Sequence, residues 1–274
     1  MAKDSVILVI PVYNEEQCIE KVISDWREQL LSLAIPFEIQ IVNDGSNDKT
    51  GKILESLKNR LSHLTVIHQT NAGHGAAVKN GYIRACQKNY DYVFQTDSDD
   101  QFSSEDFIKV WERRHESQAV FGHRVNRHDP LTRKLISFSL RKSILDIFQV
   151  DIPDANIPYR LFKRDFLKNC LTVLGPALFA PNIFLSILSF THLGNCPVVP
   201  VQHFARQGDT QKLMSWGLAK ACLSSMWQVV TYAYQLPKKL HYLKTLEDHS
   251  SNENVTPLKS KSEQSTHESI ARVA

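Results

Sequence analysis

Short apolar runs rich in β-branched residues alternate through the first half of the chain with stretches whose apolar positions recur every three or four residues. That alternation is the pattern of parallel strands joined by crossover helices. It predicts strands at Val6 to Ile10, Phe37 to Val42, Leu64 to His68, Tyr92 to Gln95 and Ala119 to Gly122. It predicts helices over Glu16 to Leu33, Lys49 to Arg60, Ala76 to Gln87 and Ser104 to His115. In the first helix Ile19, Val22, Ile23, Trp26 and Leu30 keep the spacing of one buried face. The fold class is α/β, with a mostly parallel open sheet flanked by helices.

Open α/β sheets bind ligands outside the carboxyl ends of their strands, so the residues after each strand carry the chemistry. The first strand runs into Pro11-Val12-Tyr13-Asn14-Glu15-Glu16 and the second into Asn43-Asp44-Gly45-Ser46-Asn47-Asp48. The third is followed by Asn71-Ala72-Gly73-His74-Gly75 and the fourth by Asp97-Ser98-Asp99-Asp100-Gln101. Asp97 and Asp99, with Asp100 and Gln101 beside them, form an all-oxygen set suited to Mg2+ or Mn2+ rather than zinc. The same residues also make a solvated turn capping the next helix. The Asn71 to Gly75 stretch opens a helix and offers backbone amides to phosphate oxygens, yet it matches neither a P-loop nor a dinucleotide fingerprint.

The second half reads differently. Between Arg124 and Arg164 the chain is basic and less periodic, and Pro197-Val198-Val199-Pro200-Val201 is an edge strand by its prolines. Leu213 to Leu236 is amphipathic: Trp216, Leu223, Trp227, Val230 and Tyr234 share one helical face, opposite a more polar stripe. It suits a membrane interface or a helix packed on protein better than a span. Residues 237–274 lose apolar periodicity and read as a disordered tail.

Taken in order, the four strand-end motifs closely resemble those of the family 2 glycosyltransferases of the GT-A fold. Within that family they look most like the polyprenol-phosphate sugar synthases. The resemblance spans residues 5 to about 212. It implies that Pro11, Tyr13, Glu15, Asp44, Gly75 and Asp97 bind the donor nucleotide, with Glu15 on the ribose and Asp44 on the base. It implies that Asp97, Asp99 and Gln101 hold a divalent metal, Mg2+ or Mn2+, on the donor diphosphate. Asp99, Arg124, Arg133 and Arg206 are the implied catalytic groups. Arg124, from Gly122-His123-Arg124, with Arg133, Ser137 and Arg160 would meet the acceptor phosphate. Physically, a departing diphosphate needs positive charge, and the arginine fork bonds two phosphate oxygens at once.

Some positions depart from the family pattern. Asn43 replaces the first of two acids before Gly45-Ser46, His74 stands where a lysine or arginine is common, and either Asp99 or Asp100 faces the metal. No carboxylate lies between Asp165 and Asp209, where family members acting on sugars carry an acidic pair. A phosphate monoester, with a second pKa of about 6, is already a dianion at neutral pH and attacks without a base. The expected reaction is therefore inverting, metal-dependent transfer from a nucleoside-diphosphate sugar to a polyprenyl phosphate or another lipid-linked acceptor. Transfer to a saccharide or glycolipid hydroxyl, with Asp154 or Asp165 as base, and sugar-nucleotide binding without catalysis are the alternatives.

Composition limits the remaining choices. The 274 residues carry 32 Lys and Arg against 29 Asp and Glu, a net charge of +3, so no basic field suggests a nucleic-acid partner. The five cysteines lack metal-ligand spacing and fit a reducing compartment. The apolar run at the N-terminus is too short for a signal peptide. The expected organisation is a catalytic domain over 1–212, an amphipathic helix over 213–236 and the tail. The expected location is the cytoplasm, with peripheral contact to the cytoplasmic face of a membrane.

Overall fold

The computed structural model describes residues 3–125, 131–175, 180–205 and 216–253. The first half alternates strands β1 (Val6–Val12), β2 (Phe37–Asp44), β3 (Leu64–Gln69), β4 (Tyr92–Gln95) and β5 (Ala119–Val125) with helices α1 (Ile19–Ser32), α2 (Thr50–Arg60), α3 (His74–Cys86) and α4 (Phe107–Glu112). Helix α5 (Leu131–Phe148), strand β6 (Arg160–Lys163), helices α6 (Arg164–Leu174) and α7 (Pro181–Leu193), strand β7 (Val198–Gln202) and helix α8 (Trp216–Glu253) follow.

The seven strands form one sheet in the order β3-β2-β1-β4-β6-β5-β7. Among the described strands, β6 alone runs antiparallel to its neighbours. Strand β1 is buried along its whole length because it is covered on both faces. Ile7 and Val9 point into one core with α3, α5, α6, α7 and α8, while Val6, Leu8 and Ile10 point into the other with α1, α2 and α4. Gly81 is the point of closest approach of α3. A Cβ there would lie 2.4 Å from a Val9 methyl, so only glycine lets the helix sit this low on the sheet.

The chain steps outward from β1 through β2 to β3, then returns to place β4 on the other side of β1. This reversal opens a crevice at the carboxyl ends of β1, β2 and β4. Pro11 is accommodated there at no cost to the ladder. Val9 accepts from Thr96 N at 3.2 Å, so alternate residues of β1 face β4, and Pro11 faces that side beyond the last β1–β4 pair at Gln95. Strand β7, with Pro200, closes the opposite edge of the sheet.

One expectation changes in the second half. Helix α8 continues through Pro237 to Glu253, so the structure corrects the expected tail over its first part: Val229, Tyr232, Leu236 and Leu243 bury one face that carries across the proline. Residues 254–274 lie outside the described residues. Val230 and Tyr234 are exposed on α8, the latter 83%. Among the described residues, no helix is long and apolar enough to cross a membrane.

Candidate functional site

A cavity of about 320 Å³ occupies the crevice, lined by Pro11 near the end of β1, Tyr13 and Glu15 after it, Asp44 at the end of β2, Asn71 and Gly73 before α3, His74 at its start, and Asp97, Ser98 and Asp99 after β4. Four strand-end segments that stand far apart in the sequence therefore share one wall. Gly75 lies one residue beyond His74, in the first turn of α3, and is not among the lining residues.

Asp44 organises this wall. Its buried carboxylate accepts from Gln69 Nε2 at 2.7 Å, Ala72 N at 2.9 Å and Gly73 N at 2.9 Å. Three of the roughly four acceptor positions of a carboxylate are thus committed to the end of β3 and the loop before α3. That loop needs Gly45 as well: with φ at +68°, a Cβ there would stand 2.7 Å from Asn71 N.

The loops after β1 and β2 are joined by a second network. Asn43 pairs in register with His68 on the neighbouring strand, and its Nδ2 donates to His68 Nδ1 at 2.9 Å. Its Oδ1 accepts from Ser46 Oγ at 2.6 Å, and Ser46 Oγ accepts in turn from Asn14 N at 3.0 Å. The other ring nitrogen of His68 meets Glu55 at 2.9 Å. The amide at position 43 thus bridges the two loops. Sequence reading missed His68, Glu55 and Thr50, whose Oγ1 accepts from Glu15 N at 2.9 Å. For His68 the signal was its register opposite Asn43.

The acidic turn after β4 separates its carboxylates. Asp100, at a φ of +57°, is held by Lys21 Nζ at 2.9 Å and faces a different, larger groove along α1. Asp99 lines the cavity instead, and its Oδ1 accepts from Gln101 N at 3.3 Å. Asp97 is half-buried, and burial pushes its carboxyl up against the pull of His74, Arg124 and Arg160. His74 Nε2 stands 3.7 Å from Asp97.

Gln101 is not among the cavity-lining residues; its Nε2 donates to Phe204 O at 3.0 Å, and Phe204 N donates back to Gln101 O at 2.9 Å, which leaves its Oε1 outside both bonds. It ties the acidic turn to the end of β7, next to the bridge between Phe102 and His203. The His203 ring is buried there against Phe102.

The expected arginines part company. Arg124, at the end of β5, makes two bonds to Asp154, Nε to Oδ2 at 2.6 Å and Nη2 to Oδ1 at 2.8 Å. Arg160 is fully buried, and the expectation that it meets an acceptor phosphate is corrected. Its guanidinium donates to Ile157 O at 2.8 Å, Asn182 O at 2.7 Å, Ser186 Oγ at 3.2 Å and Ala155 O at 3.3 Å. Burial pushes it down to about 10, still charged at neutral pH. Ser137 lies on α5 and is partly exposed, the side chain of Arg133 on the same helix lies outside the described residues, and so does Arg206.

Cys18 sits at the rim, its thiol 3.2 Å from Glu15 Oε2 and 3.3 Å from Ser98 O. Burial, the bond to Glu15 and the nearby carboxylates of Asp100 and Asp99 push it up to about 12. The thiolate therefore forms only at strongly alkaline pH. Site-resolved labelling by iodoacetamide at pH 8 is expected to run at least ~10-fold slower at Cys18 than at an ordinary thiol of pKa about 8.5. Equal rates would contradict this environment.

The oxygen donors Asp97 and Asp99 fit a hard divalent cation, and the raised Asp97 carboxyl is the form such a cation relieves. Among the described residues, no group of three or more His, Cys, Asp or Glu could hold a metal unaided. A donor diphosphate would add oxygens to the set.

Comparison with known proteins bears on the whole arrangement. Residues 7–171 match the family model described as glycosyl transferase family 2. An undecaprenyl-phosphate 4-deoxy-4-formamido-L-arabinose transferase of Pectobacterium atrosepticum is 29% identical over 211 residues, covering 76% of this chain and 62% of its own length. The Pseudomonas paraeruginosa protein of the same name is 28% identical over 240 residues, 86% of this chain and 67% of that one. The chain thus spans a little under two thirds of the first relative's length. Glucosyl-3-phosphoglycerate synthase from Mycobacterium tuberculosis, solved with Mn2+, UDP-glucose and phosphoglyceric acid, superposes with a TM-score of 0.61 at 16% identity, covering 84% of this chain and 80% of that one. With its motifs gathered at the crevice of such a sheet, and a family match over most of its α/β domain, the chain belongs to glycosyl transferase family 2 and has the GT-A fold.

Proposed function

We propose that this protein transfers a sugar from a nucleoside-diphosphate sugar to a polyprenyl phosphate, with inversion and with a divalent cation, at the cytoplasmic face of a membrane. The observation that carries the reading is the cavity in which Pro11, Tyr13, Glu15, Asp44, Asp97 and Asp99 meet. Pro11, Tyr13 and Glu15 bound the nucleoside, and Asp44 fixes the loop against which it lies. Mg2+ or Mn2+ on Asp97 and Asp99 supplies positive charge to the donor diphosphate.

The acceptor reading rests on the bases the chain offers. Among the described residues from 166 to 205 there is no carboxylate to serve as base. A phosphate dianion needs none. One of its oxygens forms the new bond to the anomeric carbon as the bond to the diphosphate breaks, and the nucleoside diphosphate leaves with the electron pair. Arg124, Arg133 and Ser137 hold the acceptor phosphate, and Arg206 meets the departing diphosphate. The names of the two relatives above, both undecaprenyl-phosphate sugar transferases, support the same acceptor. Peripheral membrane contact belongs to this reading, through exposed apolar side chains such as Phe138 on α5 and Tyr234 on α8.

The test incubates the protein and Mg2+ or Mn2+ with radiolabelled UDP- and GDP-sugars and a short-chain polyprenyl phosphate. Label is expected in the organic phase. Label on an added saccharide without any in the organic phase would replace this reading with hydroxyl transfer. Donor binding with no turnover would leave a binding protein.

A further inference from the structure

Arg124 is held more firmly than a surface cation needs to be. Its fork is only 16% exposed and the carboxylate of Asp154 only 6%, and the two-point bond fixes the guanidinium plane as well as its position. The carboxylate itself is anchored from the core. Asp154 opens the turn that precedes β6, with Ile157 N donating to Asp154 O at 3.3 Å. The carbonyls of Ala155 and Ile157 in that turn are gripped by Arg160, which also grips Asn182 on α7. Ser186 Oγ donates to Ala155 O at 2.8 Å. On the other side Gly122, two residues before Arg124, donates to Tyr159 O at 2.7 Å, and a Cβ on it would touch Ile157 and Tyr159 at 3.1 Å. A continuous set of contacts therefore runs from α7 through Arg160 and the 154–157 turn to the fork of Arg124.

We propose that Asp154 is a positioning residue for the acceptor: it orients Arg124 so that the guanidinium meets the acceptor phosphate in one fixed geometry. The inference rests on the polyprenyl-phosphate reading above and assigns Asp154 a role other than general base. It makes a prediction opposite in sign to plain electrostatics. Removing a negative charge beside a phosphate site strengthens phosphate binding if charge alone matters. Removing the carboxylate that aims the fork weakens it.

The experiment measures the KM of a short-chain polyprenyl phosphate and, separately, the half-saturation by the donor, for the wild type, Asp154→Asn, Asp154→Glu and Arg124→Lys. Asp154→Asn is expected to raise the acceptor KM by about 10-fold with donor half-saturation unchanged, and Asp154→Glu to recover part of the loss. Arg124→Lys keeps the charge without the fork and is expected to raise the acceptor KM similarly, with the double variant Asp154→Asn and Arg124→Lys no worse than Arg124→Lys alone. This series stays readable if Asp154→Asn folds poorly, because Arg124→Lys leaves the buried turn intact. An acceptor KM that falls or stays unchanged in Asp154→Asn or in Arg124→Lys, or a donor half-saturation that moves equally, would overturn the proposal while leaving the acceptor reading standing. A wild type that makes no lipid product overturns the acceptor reading, and this role with it.

Discussion

Asp99→Asn is expected to lower the turnover of sugar transfer by about 10³-fold, at the upper end of what removal of one electrostatic stabiliser costs. The residue lines the cavity beside Asp97, and the two carboxylates are the hard oxygen pair of the site. Asparagine keeps the shape and the Oδ1 that accepts from Gln101 N, so the turn keeps its form while the charge proposed to bind a cation is halved. The half-saturation for Mg2+ or Mn2+ is expected to rise together with the fall in turnover. Asp100→Asn supplies the contrast. That carboxylate is engaged by Lys21 and points into the groove along α1, so its loss is expected to change turnover by no more than about 3-fold, the scale of an exposed ion pair. Steady-state rates over a metal titration read both variants. Equal losses in the two would reverse the assignment of Asp99 to the cavity chemistry.

The same turn shows where sequence pattern is informative and where it stops. The spacing of apolar residues located β1 to β5 and α1 to α4 because each element there has a clean period and a polar boundary. Strand β7 was recognisable as an edge because Pro200 can donate no ladder bond. Strand β6 was not legible: it is four residues long and begins at an arginine, a residue type that signals surface until its carbonyl partners are known. Helix α7 was illegible for the opposite reason, since Pro181 to Phe190 are all buried and no polar face marks a period. The strand-end motifs of the site could be read, but which of Asp99 and Asp100 faces the cavity depends on Lys21, about 80 residues earlier, and on a positive φ. Likewise the Gln101 amide nitrogen bonds Phe204 O, a partner about 100 residues later that no local pattern reveals. Long-range hydrogen bonding, not local pattern, decides such cases.

Arg160→Met is expected to destabilise the protein by about 3–5 kcal/mol, the usual scale for removing one partner of a buried charged network. Methionine fills much of the volume but donates nothing. The carbonyls of Ala155, Ile157 and Asn182 would lose a donor in a region sealed from water, and the guanidinium's contact with the Phe121 ring, 5.4 Å from its centroid, would go as well. Ser186 would keep only its own bonds to the Ala155 and Asn182 carbonyls. At 2–4 °C per kcal/mol for a domain of this size, the midpoint of thermal unfolding is expected to fall by on the order of 10 °C. Arg160→Lys keeps a charge but not the planar fork, so it recovers only part of that loss. Thermal unfolding with and without a saturating nucleoside diphosphate and Mg2+ reads the effect. A phosphate-binding arginine at the surface would behave in the reverse manner, leaving the unfolding midpoint in place and changing only the acceptor KM. The position of Arg160, between the core and the turn that carries Asp154, makes its contribution one of stability first, and any effect on transfer follows from the loosening of that turn.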